Sequence, residues 1–598
     1  MAFTEGPLWA RSKNSKNFWG TLWALIRYMG RYRLMVYAGL LMIVIATVMS
    51  LVGPQFLSGI TDSLQDSIQN SKPIDIDGIA TLSLIAAGLY ITSMLLVTAE
   101  HYIIGSSSEY IAKKMRRDLS EKLNSIHISY FDNSTSGDIM SRVSNDADTV
   151  GRNCSESLTH LITAIISIVG AFAMMMYTSV ELAMVSAVPS LVGFLIIFLL
   201  VKISQKYFRI QQIKLGSMNA LVDENYRGHE IVKLYGGENG AWVKFNAIND
   251  NLYDSSLRTR FLAGLMSQFM NFISNIGYLT VCIFGSMMVM EGKIGYGTVV
   301  AFIVYIKLFT QPLIQLSESM GMVQMVIAAS ERVFEFLALP EMDEEADKDV
   351  TIEDVCGDVE FRDVHFSYVP GKEIIHGFSQ SIKAGSRIAI VGPTGAGKTT
   401  LANLLMKFYE PDAGQILIDG KDTSGMRRHY VHSLFNVVLQ DSWLFNGTVR
   451  DNIVFNRKGV DDEQVLKACE AVGLKSFIDS LSDGLDTMIT DKIALSGGQR
   501  QQMMMARMLV RDAPMVILDE ATASIDTRTE RQIQGAMELL MRGKTSFVIA
   551  HRLSTIMDSD LILVLKDGNI VEQGTHEELL RMRGFYFSLY NSQFENCA

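Results

Sequence analysis

The sequence of 598 residues predicts a multidomain fold, in which an all-α transmembrane domain of six helices with long helical extensions precedes an α/β domain. Three observations lead to this fold class. The first half contains uncharged runs of membrane-spanning length, the segments that join these runs lack loop-breaking residues, and the second half alternates short apolar strands with helices. Only 20% of the residues are charged, below the ~25% of an average soluble protein, which excludes a disordered chain.

Six apolar runs are candidates for membrane helices, because each offers close to the ~20 residues that a spanning helix needs. They follow a leader, residues 1–33. We predict the helices over residues 34–61, 78–104, 157–180, 182–203, 261–290 and 294–320, within a transmembrane domain of residues 34–330.

Basic residues determine the predicted orientation. The leader and the two long connections, residues 105–156 and 204–260, carry most of the basic residues of this half, whereas the opposite side shows only Lys72 and Lys293. Because basic segments stay in the cytoplasm, we expect both termini and both helical extensions there. The leader lacks an apolar segment with a cleavage site, so it does not resemble a signal peptide. The expected location is a bacterial plasma membrane, spanned several times.

The two long connections are rich in helix-forming residues, and turn-forming residues occur near the middle of each, at 130–137 and 226–228. They are therefore predicted to be helical hairpins. The tips of the hairpins are either solvated or docked on another domain, and the residues alone favour neither.

Lys307 interrupts the sixth apolar run. A cation within a membrane helix is costly and usually faces a wet cavity or a partner, which would place Lys307 on a substrate pathway. The alternative is a helix that leaves the bilayer, so that the side chain reaches the interface. Both interpretations remain open at this point.

A linker is expected over residues 331–354, and the α/β domain over residues 355–598. Residues 387–391 (RIAIV) form a buried-strand pattern, which is followed by Gly392-Pro-Thr-Gly-Ala-Gly-Lys-Thr399 and an apolar helix. This is the phosphate-binding G-x-x-x-x-G-K-[ST] pattern in its strand–loop–helix context. Its backbone amides can surround phosphate oxygens, Lys398 can neutralise the β- and γ-phosphates, and the Thr399 hydroxyl can hold Mg²⁺.

Two further apolar strands are followed by polar residues. Residues 515–519 (MVILD) end in Asp519, which is suited to hold Mg²⁺, and Glu520 follows as a candidate base for the attacking water. His551 follows the strand pattern FVIA and could reach the γ-phosphate. A carboxylate at a helix start and a histidine at a strand end are often structural, and it is the phosphate loop that favours the catalytic interpretation.

Seven ordered motifs resemble those of ABC transporters: the phosphate loop, Leu495-Ser-Gly-Gly-Gln-Arg-Gln501 (signature), Leu518-Asp-Glu-Ala-Thr522 (Walker B), Val364-His-Phe-Ser-Tyr368 (adenine loop), Val438-Leu-Gln-Asp441 (Q-loop), Ala523-Ser-Ile-Asp526 (D-loop) and Ala550-His-Arg-Leu553 (switch). Six membrane helices ahead of one P-loop ATPase domain resemble a type IV exporter half-transporter. The segment before the signature, residues 490–494, departs from the family by being shorter and lacking a glycine.

The resemblance implies ATP and Mg²⁺ as cofactors and assigns a role to each matching residue. Catalysis is expected from Glu520, His551 and Gln440, and Mg²⁺ coordination from Thr399, Gln440 and Asp519. Nucleotide contacts are expected from Tyr368, Gly392, Thr394, Gly395, Ala396, Gly397, Lys398, Thr399, Thr400, Ser496, Gly497, Gly498, Gln499 and Asp526.

By the same resemblance, two subunits close around two ATP molecules and switch the membrane helices between inward- and outward-facing states. Coupling would run through the hairpin tips near residues 133–138 and 222–228. The partner is a second half-transporter, either another copy or a related chain. The expected function is export of a drug-like compound or lipid. The alternatives are an exporter-shaped importer of a siderophore or vitamin, a peptide exporter, and an ATP-binding regulator or channel. The net charge of −11 argues against nucleic acid as a partner.

Overall fold

The computed structural model describes residues 18–71, 73–132, 134–342, 345–438, 443–490, 495–519, 527–549 and 556–594. The chain divides into two compact units. The first comprises the residues up to Ile126 together with Ser134–Glu341, and the second comprises His127–Asn133 together with the residues from Met342 onward.

The first half of the chain is helical. Its helices are α1 (Phe18–Tyr28), α2 (Arg33–Gln69), α3 (Ile76–Ser125), α4 (Ile128–Asp132), α5 (Ser136–Ser141), α6 (Ala147–Thr178), α7 (Val180–Arg227), α8 (His229–Leu234), α9 (Glu238–Met290) and α10 (Tyr296–Leu337). A single π-helical turn, Arg142–Asp146, leads into α6. Of these helices, α4 belongs to the second compact unit.

Six helices in the described part of the chain are long and apolar enough to cross a membrane: Gly30–Gln69, Ile76–Ser125, Ser136–Thr178, Val180–Arg227, Glu238–Met290 and Tyr296–Leu313. Several extend well beyond the bilayer. Helix α3, with 50 residues, is about 75 Å long, whereas the hydrocarbon core is ~30 Å thick. The predicted fold class of six spanning helices with long helical extensions is confirmed.

Small residues allow these helices to approach closely. A Cβ atom at Gly151 of α6 would lie 2.4 Å from the Cβ atom of Ala112 on α3, and one at Gly193 of α7 would lie 2.3 Å from Ile273 on α9. The buried Tyr305 hydroxyl of α10 donates a hydrogen bond to the Leu51 carbonyl of α2, at 3.2 Å. Close packing and interhelical hydrogen bonds thus stabilise a bundle that has no hydrophobic driving force between its helices in lipid.

The second unit contains twelve strands among its described residues: β1 (Val359–Phe366), β2 (Ile375–Ile382), β3 (Arg387–Val391), β4 (Ala413–Ile418), β5 (Lys421–Asp422), β6 (Phe435–Val438), β7 (Gly447–Thr448), β8 (Met488–Ile489), β9 (Met515–Asp519), β10 (Thr545–Ile549), β11 (Leu561–Lys566) and β12 (Asn569–Gly574). Its further helices are α11 (Lys398–Leu405), α12 (Arg428–Ser433), α13 (Val449–Val454), α14 (Asp462–Ala471), α15 (Lys475–Asp479), α16 (Gly497–Arg511), α17 (Thr527–Met541), α18 (His576–Met582) and α19 (Phe585–Phe594).

Two main sheets organise the second unit. The larger has the order β12-β11-β3-β10-β9-β6, in which every neighbouring pair is parallel except β11 and β12. Strand β10 is buried along its whole length and β9 along all but its last residue, because both faces of the sheet are covered. An antiparallel sheet, β2-β1-β4-β5, shares a hydrophobic core with one face of the larger sheet. This α/β architecture confirms the predicted fold class of the second half.

The predicted linker, residues 331–354, is divided between neighbouring elements. Its first residues continue α10 as far as Leu337. Near its end, Ile352 exchanges hydrogen bonds with the Tyr430 hydroxyl of α12, as donor at 2.8 Å and as acceptor at 3.0 Å. The sequence indicated a domain boundary here because the acidic stretch of residues 341–354 follows the last helical pattern.

Candidate nucleotide-binding site

The phosphate loop lies between β3 and α11, as its sequence pattern predicts. Strand β3 is buried along most of its length, and α11 begins at Lys398 directly after Gly397. Gly397 has a φ of +99°, and a Cβ atom there would lie 2.8 Å from Ile375, so this position requires glycine. Since α11 starts at the loop, its first-turn backbone amides and its positive dipole end favour an anion there.

The Lys398 side chain is held against its own loop. It is only 7% exposed, and its ammonium group donates hydrogen bonds to the carbonyls of Gly392, at 2.8 Å, and Pro393, at 3.0 Å. A buried ammonium at the centre of a ring of backbone groups provides fixed positive charge for phosphate oxygens. The Thr399 side chain beside it is exposed, whereas Thr400 is buried.

Asp519 reaches the same edge of the large sheet as the phosphate loop. Both Asp519 of β9 and Ile390 of β3 pair with Ile549 of the strand between them. Two strand spacings separate them, so their backbones lie about 10 Å apart. This distance leaves room for a phosphate-bound cation between the loop and the carboxylate.

The oxygen donors at this edge fit Mg²⁺, which prefers hydroxyl and carboxylate oxygens and usually shares substrate phosphates. Among the described residues, no group of three or more His, Cys, Asp or Glu side chains is placed to hold a metal ion. Thr399 and Asp519 are the described residues that would hold Mg²⁺ together with a nucleotide, and this role stays a prediction.

Four predicted site residues lie outside the described residues: Gln440, Glu520, Asp526 and His551. Their assigned roles stay predictions. The same applies to the segment before the signature, of which residues 491–494 are also outside the described range.

Tyr368 follows β1, as expected for a residue that stacks on a base. Its hydroxyl accepts a hydrogen bond from the Asn403 amide of α11, at 3.3 Å, and its ring packs edge-on against Phe366 and Tyr409, each at 4.9 Å between ring centres. The ring is half-buried, so it retains exposed surface for a ligand. These contacts fix the Tyr368 ring relative to the phosphate-loop helix.

The signature turn forms the N-terminus of α16. The Ser496 side chain accepts a hydrogen bond from the Gln499 backbone, at 3.2 Å, and the Gln499 side chain accepts one from the Ser496 backbone, at 2.9 Å. This reciprocal capping box orders the first turn of a 15-residue helix and leaves the amides of Gly497 and Gly498 at its start. The arrangement provides a second candidate anion-binding site at a helix N-terminus.

One contact of this unit, between Asp132 and Tyr409, was not anticipated from the sequence. Helix α4 lies between the second and third membrane helices in the sequence, yet it belongs to the compact nucleotide unit. The Tyr409 hydroxyl donates a hydrogen bond to the Asp132 carboxylate of α4, and the Tyr409 ring packs against His127 at 5.5 Å. Burial and the neighbouring Asp132 raise the pKa of Tyr409 above its usual range, so the hydroxyl stays protonated and remains a donor.

Both residues of this contact belong to the nucleotide unit, although Asp132 lies within the first predicted hairpin in the sequence. The sequence placed the coupling tip near residues 133–138, whereas the segment within the nucleotide unit is His127–Asn133. The second predicted tip, residues 222–228, forms the end of α7 and the turn at Gly228 that precedes α8. No sequence signal links Asp132 to Tyr409, because they are 277 positions apart.

Comparisons with known proteins agree with this architecture. A family model for the ABC transporter transmembrane region matches residues 36–313, and a second model, ABC transporter, matches residues 375–523. A fatty acid ABC transporter ATP-binding/permease protein of Mycobacterium bovis is 34% identical over 611 residues, which cover 96% of each chain. An ATP-dependent lipid A-core flippase of Syntrophus aciditrophicus is 34% identical over 489 residues, which cover 81% of each chain.

The fold is also that of a solved transporter. The structure of a bacterial Atm1-family ABC exporter with ATP bound matches with a TM-score of 0.73 and 25% identity, over 94% of this chain and 98% of the other. The chain is therefore an integral membrane protein of the ABC exporter family, a half-transporter whose single ATPase domain hydrolyses ATP to drive transport.

Proposed function

We propose that two such subunits export an amphipathic substrate, a lipid or a drug-like compound, from the cytoplasmic side of the plasma membrane. The observation that carries this proposal is the place of His127–Asn133, a segment between two membrane helices that is part of the compact nucleotide unit. Because this segment lies between α3 and α5 in the sequence, we expect a movement of the nucleotide domain to be passed to the ends of these helices. The names of the two curated relatives, which act on a fatty acid and on lipid A-core, support a substrate with acyl chains.

In the proposed cycle, ATP binds between two nucleotide domains and holds them together. The Lys398 loop of one subunit binds the β- and γ-phosphates, and the Ser496 turn of the other binds the same γ-phosphate from the opposite side. Thr399, Gln440 and Asp519 would hold Mg²⁺, which would supply positive charge to the phosphates when bound. Glu520 orients and polarises the attacking water, and His551 contacts the γ-phosphate. Closure of the two nucleotide domains favours the outward-facing state. Hydrolysis removes the γ-phosphate that joins them, so the domains can separate.

We propose a second copy of this chain as the first partner to test. The sequence carries the signature, Glu520 and His551 together, so two copies would provide two competent sites. The alternative partner is a related half-transporter. Sizing of the purified chain, expressed alone and with such a neighbour, distinguishes the two.

The direction of transport can be tested in inside-out membrane vesicles. We expect ATP-dependent accumulation of a fluorescent fatty acid in vesicles that contain the wild-type chain. Glu520→Gln should abolish both accumulation and phosphate release while retaining ATP binding, because it removes the water-activating carboxylate and leaves the phosphate loop. ATP-dependent loss from preloaded vesicles would indicate import and contradict the proposal. Phosphate release at the wild-type rate by Glu520→Gln would contradict the role of Glu520.

A further inference from the structure

One face of α10 carries three exposed polar side chains: Lys307, Gln311 and Gln315. They are spaced by four residues, so they lie on one side of the helix, one above the other. We call these three residues the polar stripe. It lies on a helix whose first part, Tyr296–Leu313, is apolar enough to cross a membrane.

The opposite side of α10 packs against the rest of the bundle. Tyr305 is bonded to the Leu51 carbonyl of α2, and the Phe309 ring packs against Phe172 of α6 at 6.2 Å. The buried Thr310 hydroxyl lies 3.4 Å from that of Ser190 on α7. The polar stripe therefore points away from the helices of its own subunit.

Lys307 lies near the middle of the apolar span of α10. It stands within about 4 Å of the midpoint of the apolar span Tyr296–Leu313, which leaves about 11 Å to the nearer edge of a ~30 Å hydrocarbon core. A lysine side chain is too short to cover that distance. The alternative, that Lys307 reaches the interface from an emerging helix, is therefore disfavoured by its position.

The exposed side of α3 shows what a lipid-facing surface of this protein looks like. Leu84, Ile91 and Leu95 are 73%, 58% and 62% exposed, and all three are apolar. A cation near the middle of this span would be strongly destabilised in contact with lipid tails, and the two amides continue the polar face towards the C-terminal end of α10. The polar stripe is thus suited to a water-containing passage and not to lipid.

The chemistry of the stripe selects one kind of ligand. An ammonium and two primary amides are hydrogen-bond donors for an anion, and Lys307 has no ion pair within the part of the chain that the structure describes. We propose that Lys307, Gln311 and Gln315 bind the anionic headgroup, carboxylate or phosphate, of an acyl-chain amphiphile during export. This inference rests on the proposed function, and it specifies that the headgroup of the exported substrate is anionic.

The first test is stimulation of ATPase activity in the full-length chain in nanodiscs. The probes are oleate, lysophosphatidate, neutral monoolein and cationic dodecyltrimethylammonium. We expect the two anions to stimulate the wild-type chain at the lowest concentrations. Lys307→Gln should raise the half-stimulating concentration of both anions about tenfold and leave that of monoolein unchanged, since it removes one charge-assisted contact. Lys307→Arg should restore the response.

Lys293→Gln is the matched control. It removes the same charge from the loop between α9 and α10, where Lys293 pairs with Glu291 at 2.9 Å, and it should retain the wild-type response to oleate. If Lys307→Gln responds to the anions like the wild-type chain, the stripe does not bind headgroups, while export of an amphiphile stands. If no probe alters wild-type activity, both the stripe assignment and the proposed substrate class are wrong.

The second test measures water at the stripe directly. We expect Gln311→Cys to react with a charged maleimide in nanodiscs and Leu95→Cys, at an exposed apolar position of α3, to remain unmodified. The wild-type chain provides the background from native cysteines. Equal protection of both positions would overturn the proposal. Protection of Gln311→Cys with disulfide formation between two copies would overturn it as well, because the stripe would then be a contact between subunits.

Discussion

Two glycines of the nucleotide unit have almost the same backbone conformation in different surroundings. Gly371 has a φ of +84°, and an added Cβ atom would meet nothing within 4 Å. Gly414 has a φ of +85°, but a Cβ atom there would lie 2.1 Å from the Asp363 carbonyl oxygen and 2.5 Å from that of Arg362. A comparison of alanine substitutions at these two glycines therefore separates the cost of backbone strain from the cost of steric overlap.

We predict that Gly371→Ala destabilises the nucleotide domain by about 1 kcal/mol, from the left-handed conformation alone. Gly414→Ala should cost at least ~3 kcal/mol, because two backbone carbonyls of β1 must also move. Thermal unfolding of the two purified variants, followed by differential scanning fluorimetry, measures both. Equal losses of stability would show that overlap at Gly414 is relieved without cost.

At this scale, sequence motifs predict residues that act within one short segment and miss pairs that are distant in the chain. The phosphate loop follows from eight consecutive residues. By contrast, Glu100 is buried at 1% exposure between membrane helices, where it accepts a hydrogen bond from Thr159 at 3.1 Å, and nothing in the sequence indicated this pair. The same holds for Asp132 and Tyr409. Such contacts depend on packing and not on spacing.

At the scale of elements, the end of the linker is attached to the nucleotide domain by a cluster of charges. The Glu345 carboxylate accepts a hydrogen bond from the Arg428 backbone N–H at the start of α12, and it lies 3.4 Å from Lys348 and 3.8 Å from Lys407. Burial by itself would raise the pKa of Glu345. The Arg428 N–H and the charges of Arg428, Lys407 and Lys348 outweigh burial and lower that pKa below its usual value.

This cluster predicts a dependence of stability on pH. Because the pKa of Glu345 is lower in the folded state, its contribution is complete above the ordinary glutamate pKa of ~4.3 and is lost as the pH falls through the lowered value. Glu345→Gln should destabilise the nucleotide domain by about 1–3 kcal/mol at pH 7. The difference in unfolding temperature between wild type and variant should shrink on acidification below that ordinary pKa.

Glu353→Gln provides the comparison, since Glu353 is exposed and the same charge is removed nearby. It should leave the unfolding temperature within error of the wild type at each pH. A stability loss in Glu345→Gln that is constant from pH 7 to pH 3 would contradict the electrostatic account of this attachment.

The membrane helices and their extensions were predicted from different signals. Hydropathy marks only the part of a helix that lies in hydrocarbon, residues 78–104 of the second membrane helix, and the predicted helical extension continues α3 to Ser125. Beyond the bilayer, helix α3 proceeds because its residues favour helix and contain no proline or glycine after Gly105. Short helices such as α4 have too few residues to give a periodic signal.

For the whole molecule, the central claim is that ATP is held between two subunits, each of which contributes one side of both sites. A single chain contains a phosphate loop and a signature turn, so activity alone does not tell whether one copy or two surround the nucleotide. Mixed dimers of two inactive variants distinguish these possibilities. In Lys398→Ala the phosphate loop is lost, and in Ser496→Arg the signature turn is blocked.

The most direct measurement is vanadate-induced photocleavage of such mixed dimers, isolated through two different affinity tags after trapping with MgATP. Each variant alone should trap no nucleotide. The mixed dimer should trap one, and light should cut the Lys398→Ala chain at its intact Ser496 turn and the Ser496→Arg chain at its intact Lys398 loop. Mixed dimers that stay as inactive and uncleaved as the single variants would contradict a nucleotide site shared between subunits.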